Sequence, residues 1–176
     1  MEQMEHQSTM KLEILTVDHH LMGYVTTGAR RFSTWLNLDN LPTITMDNVT
    51  LRSLWNPESA VVSLAFVVVN REAILAAIPR EAPMVPLGKD PERRPLEHVK
   101  KVRHEVVVSL APFALRGYMH LAKEADLRRT LLTFSDSFLP VTEARVVYTP
   151  NPQLMWEGDV VLINRSKAQL YWPAPD

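Results

Sequence analysis

The stretch VVVNREAIL, residues 67–75, contains a hydrophobic strand that ends in an Asn-Arg pair. Residues 161–169 read VLINRSKAQ, so Asn70-Arg71 recurs as Asn164-Arg165, 94 positions further along the chain. A strand ending that returns after a long, fixed interval is typical of a chain built from two copies of one unit. The pair therefore predicts a tandem duplication.

Further matches follow in the same order, with single-residue gaps between them. They are Gly23-Tyr24 with Gly117-Tyr118, Asn56-Pro57 with Asn151-Pro152, and Pro79 with Pro173. The predicted copies span residues 10–79 and 102–173, with a disordered tail at 1–9 and a short tail at 174–176. Between the copies, residues 80–101 hold Pro83, Pro86, Pro91 and Pro95 among many charges, which predicts a linker because proline interrupts both helices and central strands.

Each copy reads as two strands, a short helix and three more strands. Hydrophobic residues alternate with other residues from Phe113 to Leu121, which is the period of a strand with one buried face. Phe32, Trp35 and Leu36 share one side of a helix, as do Leu127, Thr130 and Leu131 in the second copy. A unit of this size is marginal alone. The sequence therefore predicts a mainly β fold with short helices, built as two small barrels or bent sheets related by a pseudo-two-fold.

The composition is that of an ordinary globular protein, with 176 residues, 46% hydrophobic residues, 22% charged residues and a net charge of -1. No apolar run approaches the roughly 20 residues of a membrane-spanning helix, and the N-terminus MEQMEHQSTM lacks the features of a secretory signal. We therefore expect a soluble cytoplasmic protein with no membrane partner.

The sequence carries no catalytic signature. It has no cysteine and only 5 glycines, and it shows no nucleophile elbow, phosphate loop or zinc motif. His19-His20 follow Asp18, but neighbouring strand residues point to opposite faces, so a solvated turn is the preferred interpretation. We expect no enzymatic activity, no cofactor and no metal ion.

The polar residues that recur in both copies are the candidate recognition residues. Asparagine stabilises a turn through its own side chain, and the arginine after it would point to solvent, so a structural role comes first. The alternative is a paired recognition site formed by Asn70, Arg71, Asn164 and Arg165, joined by Arg30, Arg31, Arg128 and Arg129 beside the two helices. Arginine suits phosphate contacts, but neither copy is strongly basic.

The order of these features resembles a known group of proteins. A helix with WLN, a strand with a polar break (ITMDNV, LPVTEA) and then VVVNREAI resemble a bacterial family of small β domains of unknown function. More distantly, the chain is similar to Sm-like barrels. That resemblance implies rings formed by edge-strand pairing and RNA binding, with Asn70, Arg71, Asn164 and Arg165 at the matching polar turn.

The segment LAFVVVN, residues 64–70, would aggregate if it were left on a sheet edge, so we expect it to be central or paired with its counterpart or another subunit. Trp55, Trp156, Tyr171 and Trp172 are expected in the core, or else as interface anchors. The sequence thus predicts a binding or assembly module that self-associates or binds a protein partner. The alternatives are an Sm-like RNA-binding protein and a small-molecule sensor with its site between the copies.

Overall fold

The computed structural model describes residues 8–28, 30–38, 41–81 and 100–175. The fold is mainly β, as predicted. The strands are β1 (Thr9–Leu15), β2 (His19–Thr26), β3 (Thr43–Ser53), β4 (Val62–Asn70), β5 (Ala76–Pro79), β6 (Lys101–Leu110), β7 (Phe113–Ala122), β8 (Phe138–Tyr148), β9 (Met155–Asn164) and β10 (Leu170–Pro173). The helices are α1 (Phe32–Leu36) and α2 (Leu127–Thr133), and a 3₁₀ turn spans Arg71–Ala73. Among these residues, no helix has the length and apolar character needed to cross a membrane.

The two short helices form where the sequence pattern predicts them. In α1, Phe32, Trp35 and Leu36 are all buried, because their spacing places them on one side. In α2, the carboxylate of Asp126 accepts a hydrogen bond from the Arg128 N–H (3.0 Å) and so caps the helix. Each half therefore has the predicted order of two strands, a helix and three strands.

All ten strands belong to one open antiparallel sheet, in the order β10-β6-β7-β8-β9-β5-β1-β2-β3-β4. The two halves join where β5 pairs with β9, with Ala76 opposite Ile163 and Ala77 opposite Leu162. We call this junction the seam. The expectation of two separate barrels or sheets is not confirmed, because the backbone pairing runs without a break across the seam. A two-fold would place like edges together, whereas the seam joins the fourth strand of one half to the fifth strand of the other.

The strand registers of the two halves match at the offsets found in the sequence. Leu12 lies opposite Gly23 in the first hairpin, and Val106 lies opposite Gly117 in the hairpin of the second half. Pro79 pairs with Leu12, just as Pro173 pairs with Val106. All of these positions correspond at an offset of 94.

A β-bulge interrupts the next strand pair in each half. The register shifts between Met22 and Tyr24, and again between Arg116 and Tyr118. Asn48 and Glu143, which lie on the bulged strands, have positive φ values of 50° and 47°. At Gly117 a β-carbon would lie 2.6 Å from a Val141 methyl group and 2.9 Å from the Thr142 carbonyl oxygen, so this close approach requires glycine.

Two hydrophobic cores lie on opposite faces of the sheet at the seam. The first core, beneath β1 to β4, also receives Phe138 and Leu162 from the second half. The second core receives a set of residues from the first half, namely Leu15, Leu54, Leu75, Ala76 and Ile78. Since each half contributes to the core of the other, the seam is buried on both faces.

β4 and β10 are the two edge strands of the sheet. The expectation that residues 64–70 are central is wrong, because β4 pairs only with β3 within the part of the chain described here. Its outward-facing side chains, Val62, Leu64, Phe66 and Val68, are exposed. We call these four residues the β4 apolar row. Residues 82–99 of the predicted linker and residues 1–7 of the predicted tail lie outside the described residues.

Candidate interaction surface

Asn164 connects the two halves through hydrogen bonds at the seam. It ends β9 and is buried, and its Nδ2 donates to the carbonyl oxygen of Ile74 (2.9 Å) while its backbone N–H donates to that of Leu75 (2.9 Å). Its Oδ1 accepts from the backbone N–H (3.1 Å) and the hydroxyl (2.8 Å) of Ser166. The asparagine thus closes its own turn, as the sequence predicts, and also joins one half to the other, which the sequence does not predict.

Asn37, at the end of α1, makes a second polar connection between the halves. Its side chain accepts a hydrogen bond from the backbone N–H of Phe138 (2.8 Å) and donates to the carbonyl oxygen of the same residue (3.1 Å). This two-point contact holds the start of β8 against the first half. No repeated residue marks the position, so sequence comparison between the copies gives no signal for it.

Arg71 does not point to solvent, in contrast to the prediction. Its guanidinium lies over the Phe138 ring, 5.4 Å from the ring centroid, and its Nε and Nη2 are buried without a hydrogen-bond partner among the described residues. Arg165 is exposed, and its Nε donates to the Asp136 carbonyl oxygen (3.1 Å). Arg71, Asn164 and Arg165 line one pocket of about 110 Å³ at the seam.

The other predicted recognition residues lie elsewhere. Asn70 is exposed at the end of β4, where its Oδ1 accepts from the Glu72 N–H (3.0 Å). Four exposed arginines flank or belong to the two helices and line neither the seam pocket nor the larger groove described below; these are Arg30, Arg31, Arg128 and Arg129. Of the eight predicted residues, Arg71, Asn164 and Arg165 therefore lie together at the seam pocket, and the other five lie elsewhere. The eight residues do not form a single site.

The aromatic residues near strand ends divide into two groups. Trp156 is half-buried and its ring lies 5.9 Å from that of Phe113, as expected for a core residue. Trp55 is 75% exposed and Trp172 is 40% exposed, so the core interpretation is wrong for these two. Trp172 lies on the edge strand β10.

A buried acidic cluster also lies beside the seam. Glu13 of β1 is only 8% exposed, and its carboxylate contacts His20 Nε2 (2.6 Å) and Arg80 Nε (2.6 Å). The Arg80 guanidinium also donates to the carbonyl oxygen of Glu157 in β9. The prediction of a solvated turn is wrong for His20, which lies in β2 and packs 5.4 Å from the ring of Trp156. The cluster thus connects β1, β2 and the end of β5 to the second half.

Burial raises the pKa of the Glu13 carboxyl, but the hydrogen bonds and positive charges of His20 and Arg80 outweigh it and hold the pKa below its usual 4.5. A carboxyl with a lowered folded-state pKa stabilises the fold above its unfolded-state pKa, and this stabilisation is lost as the pH falls through the folded value. We therefore expect Glu13→Gln to cost about 1 to 3 kcal/mol near neutral pH, with a smaller cost below about pH 4.

Urea unfolding at a series of pH values measures this effect. Glu157→Gln is the matched control. The ion pair between Glu157 and Arg145 is exposed, so this substitution should leave the unfolding midpoint unchanged. A Glu13→Gln cost that does not shrink in acid would contradict a role for the ionised carboxylate.

A groove of about 690 Å³ lies on the outer face of β6 to β9 and reaches Arg80 at the seam. Two ion pairs lie within the groove, Arg116 with Glu105 (2.6 Å) and Arg145 with Glu157 (2.7 Å). A third lining carboxylate, Glu143, pairs with Arg103 (3.0 Å), which lies outside the lining, and Asp159 also lines the groove. The hydrogen bond from Arg116 holds the pKa of the Glu105 carboxyl below its usual range. The described residues contain no group of three or more potential metal ligands. The groove therefore has polar side chains but little uncompensated charge.

Exposed apolar side chains concentrate at both sheet edges. Phe66 is 62% exposed and Val68 is 55% exposed on β4, and Leu170 is 61% exposed on β10. Large apolar side chains on an unpaired edge strand mark an interaction surface, since soluble proteins otherwise protect such edges with charge or a covering element. The two edges are the strongest candidate interaction surface on the described part of the chain.

Comparison of the chain with models of protein families, with curated proteins and with solved structures finds no significant match.

Proposed function

We propose that this protein is a non-enzymatic assembly module that self-associates through the edges of its sheet. The observation that carries the proposal is the β4 apolar row, which lies on an edge strand and has no covering element among the described residues. Pairing this edge with another strand would satisfy its backbone groups and remove the apolar row from water. Edge-strand pairing is also what the resemblance to Sm-like barrels implies.

We also infer that the two halves are copies of one unit. The inference is supported by the shared element order, by hairpin registers offset by 94, and by a bulge at the same place in each half. Positive φ values at Asn48 and Glu143, which are 95 positions apart, give further support, because non-glycine residues adopt them rarely.

RNA binding remains the alternative function. The charges on the sheet surface favour it less than they favour self-association. Arg116 and Arg145 lie opposite each other on β7 and β8, and each pairs with a carboxylate, so phosphate groups would have to displace these partners. A small-molecule site between the halves is favoured by one observation. Arg71 lines the seam pocket, and two of its guanidinium nitrogens are buried without a hydrogen-bond partner among the described residues, so a small anion is the ligand that this site would favour.

Light scattering coupled to size-exclusion chromatography tests the proposed function on the full chain. We expect the mass to rise above that of the 20.1 kDa monomer as protein increases from low micromolar to low millimolar concentration. A monomer over the whole range would overturn the proposal. A titration with single-stranded RNA in the same buffers separates the alternative, because binding through phosphates weakens steeply as salt is added.

A further inference from the structure

We infer that β10 of one molecule pairs with β4 of the next, in the register that β5 and β9 adopt at the seam. This inference rests on the proposed self-association and specifies its geometry: a second copy of the chain occupies each exposed edge. The seam then serves as the template for the contact between molecules.

The positions of the strands give the expected register. β10 holds in the second half the place that β5 holds in the first, since Pro173 pairs with Val106 as Pro79 pairs with Leu12. β4 likewise pairs with β3 as β9 pairs with β8. At the seam Ala76 lies opposite Ile163. The corresponding residues, each shifted by 94, are Leu170 and Val69, which would lie opposite each other between molecules.

Three exposed apolar residues at the two edges correspond to residues that the seam buries, whereas Leu64 corresponds to Gly158, which packs closely against Ile78. Leu162, Ile78 and Ala76 are 0% exposed at the seam. Their counterparts at the edges are Val68, Trp172 and Leu170, which are also apolar but are 55%, 40% and 61% exposed. Both partners of the proposed contact therefore supply exposed apolar residues. Val68 would lie on one face of the strand pair and Leu170 and Trp172 on the other, just as Leu162 enters the first core at the seam while Ala76 and Ile78 enter the second.

Asn70, at the end of the edge strand β4, could make the same polar contact that Asn164 makes at the seam. Asn164 accepts a hydrogen bond from the N–H two residues further on, and Asn70 does the same with Glu72. The two side chains therefore have the same local setting. Asn164 uses its Nδ2 to reach the Ile74 carbonyl oxygen, whereas Asn70 Nδ2 has no acceptor among the described residues. In the proposed contact it would reach the carbonyl of Ala168, the counterpart of Ile74, in the neighbouring molecule.

This geometry gives a head-to-tail assembly, because the contact joins two different edges. Each molecule that adds its β10 to a neighbour presents a fresh β4 at its other end. The assembly then grows as a filament, or closes into a ring if the rotation per molecule allows closure. A symmetric β4–β4 dimer, by contrast, would leave β10 exposed on both molecules.

Disulfide formation between single-cysteine variants tests the register directly, because the natural chain contains no cysteine. At the seam the Asn164 N–H bonds directly to the opposite Leu75 carbonyl, so the neighbouring pair Ala76–Ile163 is of the closely spaced, non-hydrogen-bonded type. By correspondence, Val69→Cys and Leu170→Cys would have β-carbons close enough for a disulfide.

We expect a mixture of the Val69→Cys and Leu170→Cys proteins to form disulfide-linked heterodimers, at a yield about tenfold above that of Val69→Cys mixed with Lys123→Cys. Lys123 is exposed and lies outside both edge strands. A preference for Val69→Cys homodimers would overturn the inference in favour of a symmetric β4 contact. If light scattering shows self-association but the disulfide-linked heterodimer does not form, the proposed register is wrong and the proposed function still stands. If the protein is a monomer at every concentration, both the register and the proposed function are wrong.

Discussion

Replacing Phe66 and Val68 together with lysine is expected to leave the protein monomeric at concentrations where the natural chain self-associates. Both side chains are more than half exposed, so the substitutions should change the stability of the monomer little. In the proposed contact the same side chains would be buried against the second core of a neighbour. Two ammonium groups would have to lose their water there, and lysine on an edge strand is a common natural protection against edge pairing.

Light scattering at matched concentrations gives the mass, and thermal unfolding by circular dichroism checks that the variant is folded. Val17→Lys combined with Met155→Lys is the matched control, because both residues are exposed and apolar but belong to neither edge strand. The control should associate like the natural protein. If both double variants associate, the β4 apolar row is not the contact surface. If both are monomeric, the loss of association is not specific to this row.

The second large effect is expected from Asn164→Ala, at about 2 kcal/mol of lost unfolding free energy. The substitution removes the side-chain hydrogen bond across the seam and leaves the buried Ile74 carbonyl oxygen without that donor. It also removes the acceptor for Ser166. Asn70→Ala is the matched comparison, since the Asn70 side chain is exposed and, among the described residues, makes only the turn contact with Glu72. We expect this substitution to cost under about 1 kcal/mol.

Urea unfolding at low concentration, followed by tryptophan fluorescence, measures both monomer stabilities. We also expect Asn70→Ala to weaken self-association, although its effect on the stability of the monomer is small. Equal losses of stability in the two variants would show that Asn164 acts only through its own turn. Unchanged association of Asn70→Ala would remove the amide contact from the proposed interface.

Local features of the fold could be predicted from the sequence because they depend on neighbouring residues. The spacing of Phe32, Trp35 and Leu36 predicts α1, and the alternation from Phe113 to Leu121 predicts β7. The Asn-Arg pairs correctly mark the ends of β4 and β9. Each of these patterns depends on residues within a single helix or strand, so it can be recognised in the sequence without knowing how the elements pack together.

The way the halves join could not be predicted from the repeat. Two similar units can join through like or unlike edges, and the repeated residues are the same in both cases. The exposure of β4 follows from that choice, which is why the central position expected for residues 64–70 is wrong. The Glu13 cluster could not be predicted for a related reason. On β1 alone Glu13 belongs to the polar alternation of a solvent face, whereas its partners His20 and Arg80 come from β2 and from the end of β5, which only the folded sheet brings together.

The repeated Asn-Arg pair therefore has two different settings in one chain. Asn164 is buried at a contact that has already formed, whereas Asn70 lies at an edge that has no partner among the described residues. The same motif can serve the fold at one position and assembly at the other, provided that a second copy supplies the missing edge.

Hydrogen–deuterium exchange as a function of protein concentration is the most direct measurement of head-to-tail assembly, because it reports on the backbone amides of both edge strands at once. We expect amides in β4 and β10 to become protected together as concentration rises, and neither strand to gain protection in the Phe66→Lys, Val68→Lys variant. Protection of β4 alone would indicate a symmetric β4 pair, and protection of β4 that does not change with concentration would mean that the same chain covers it. Either result would contradict head-to-tail assembly.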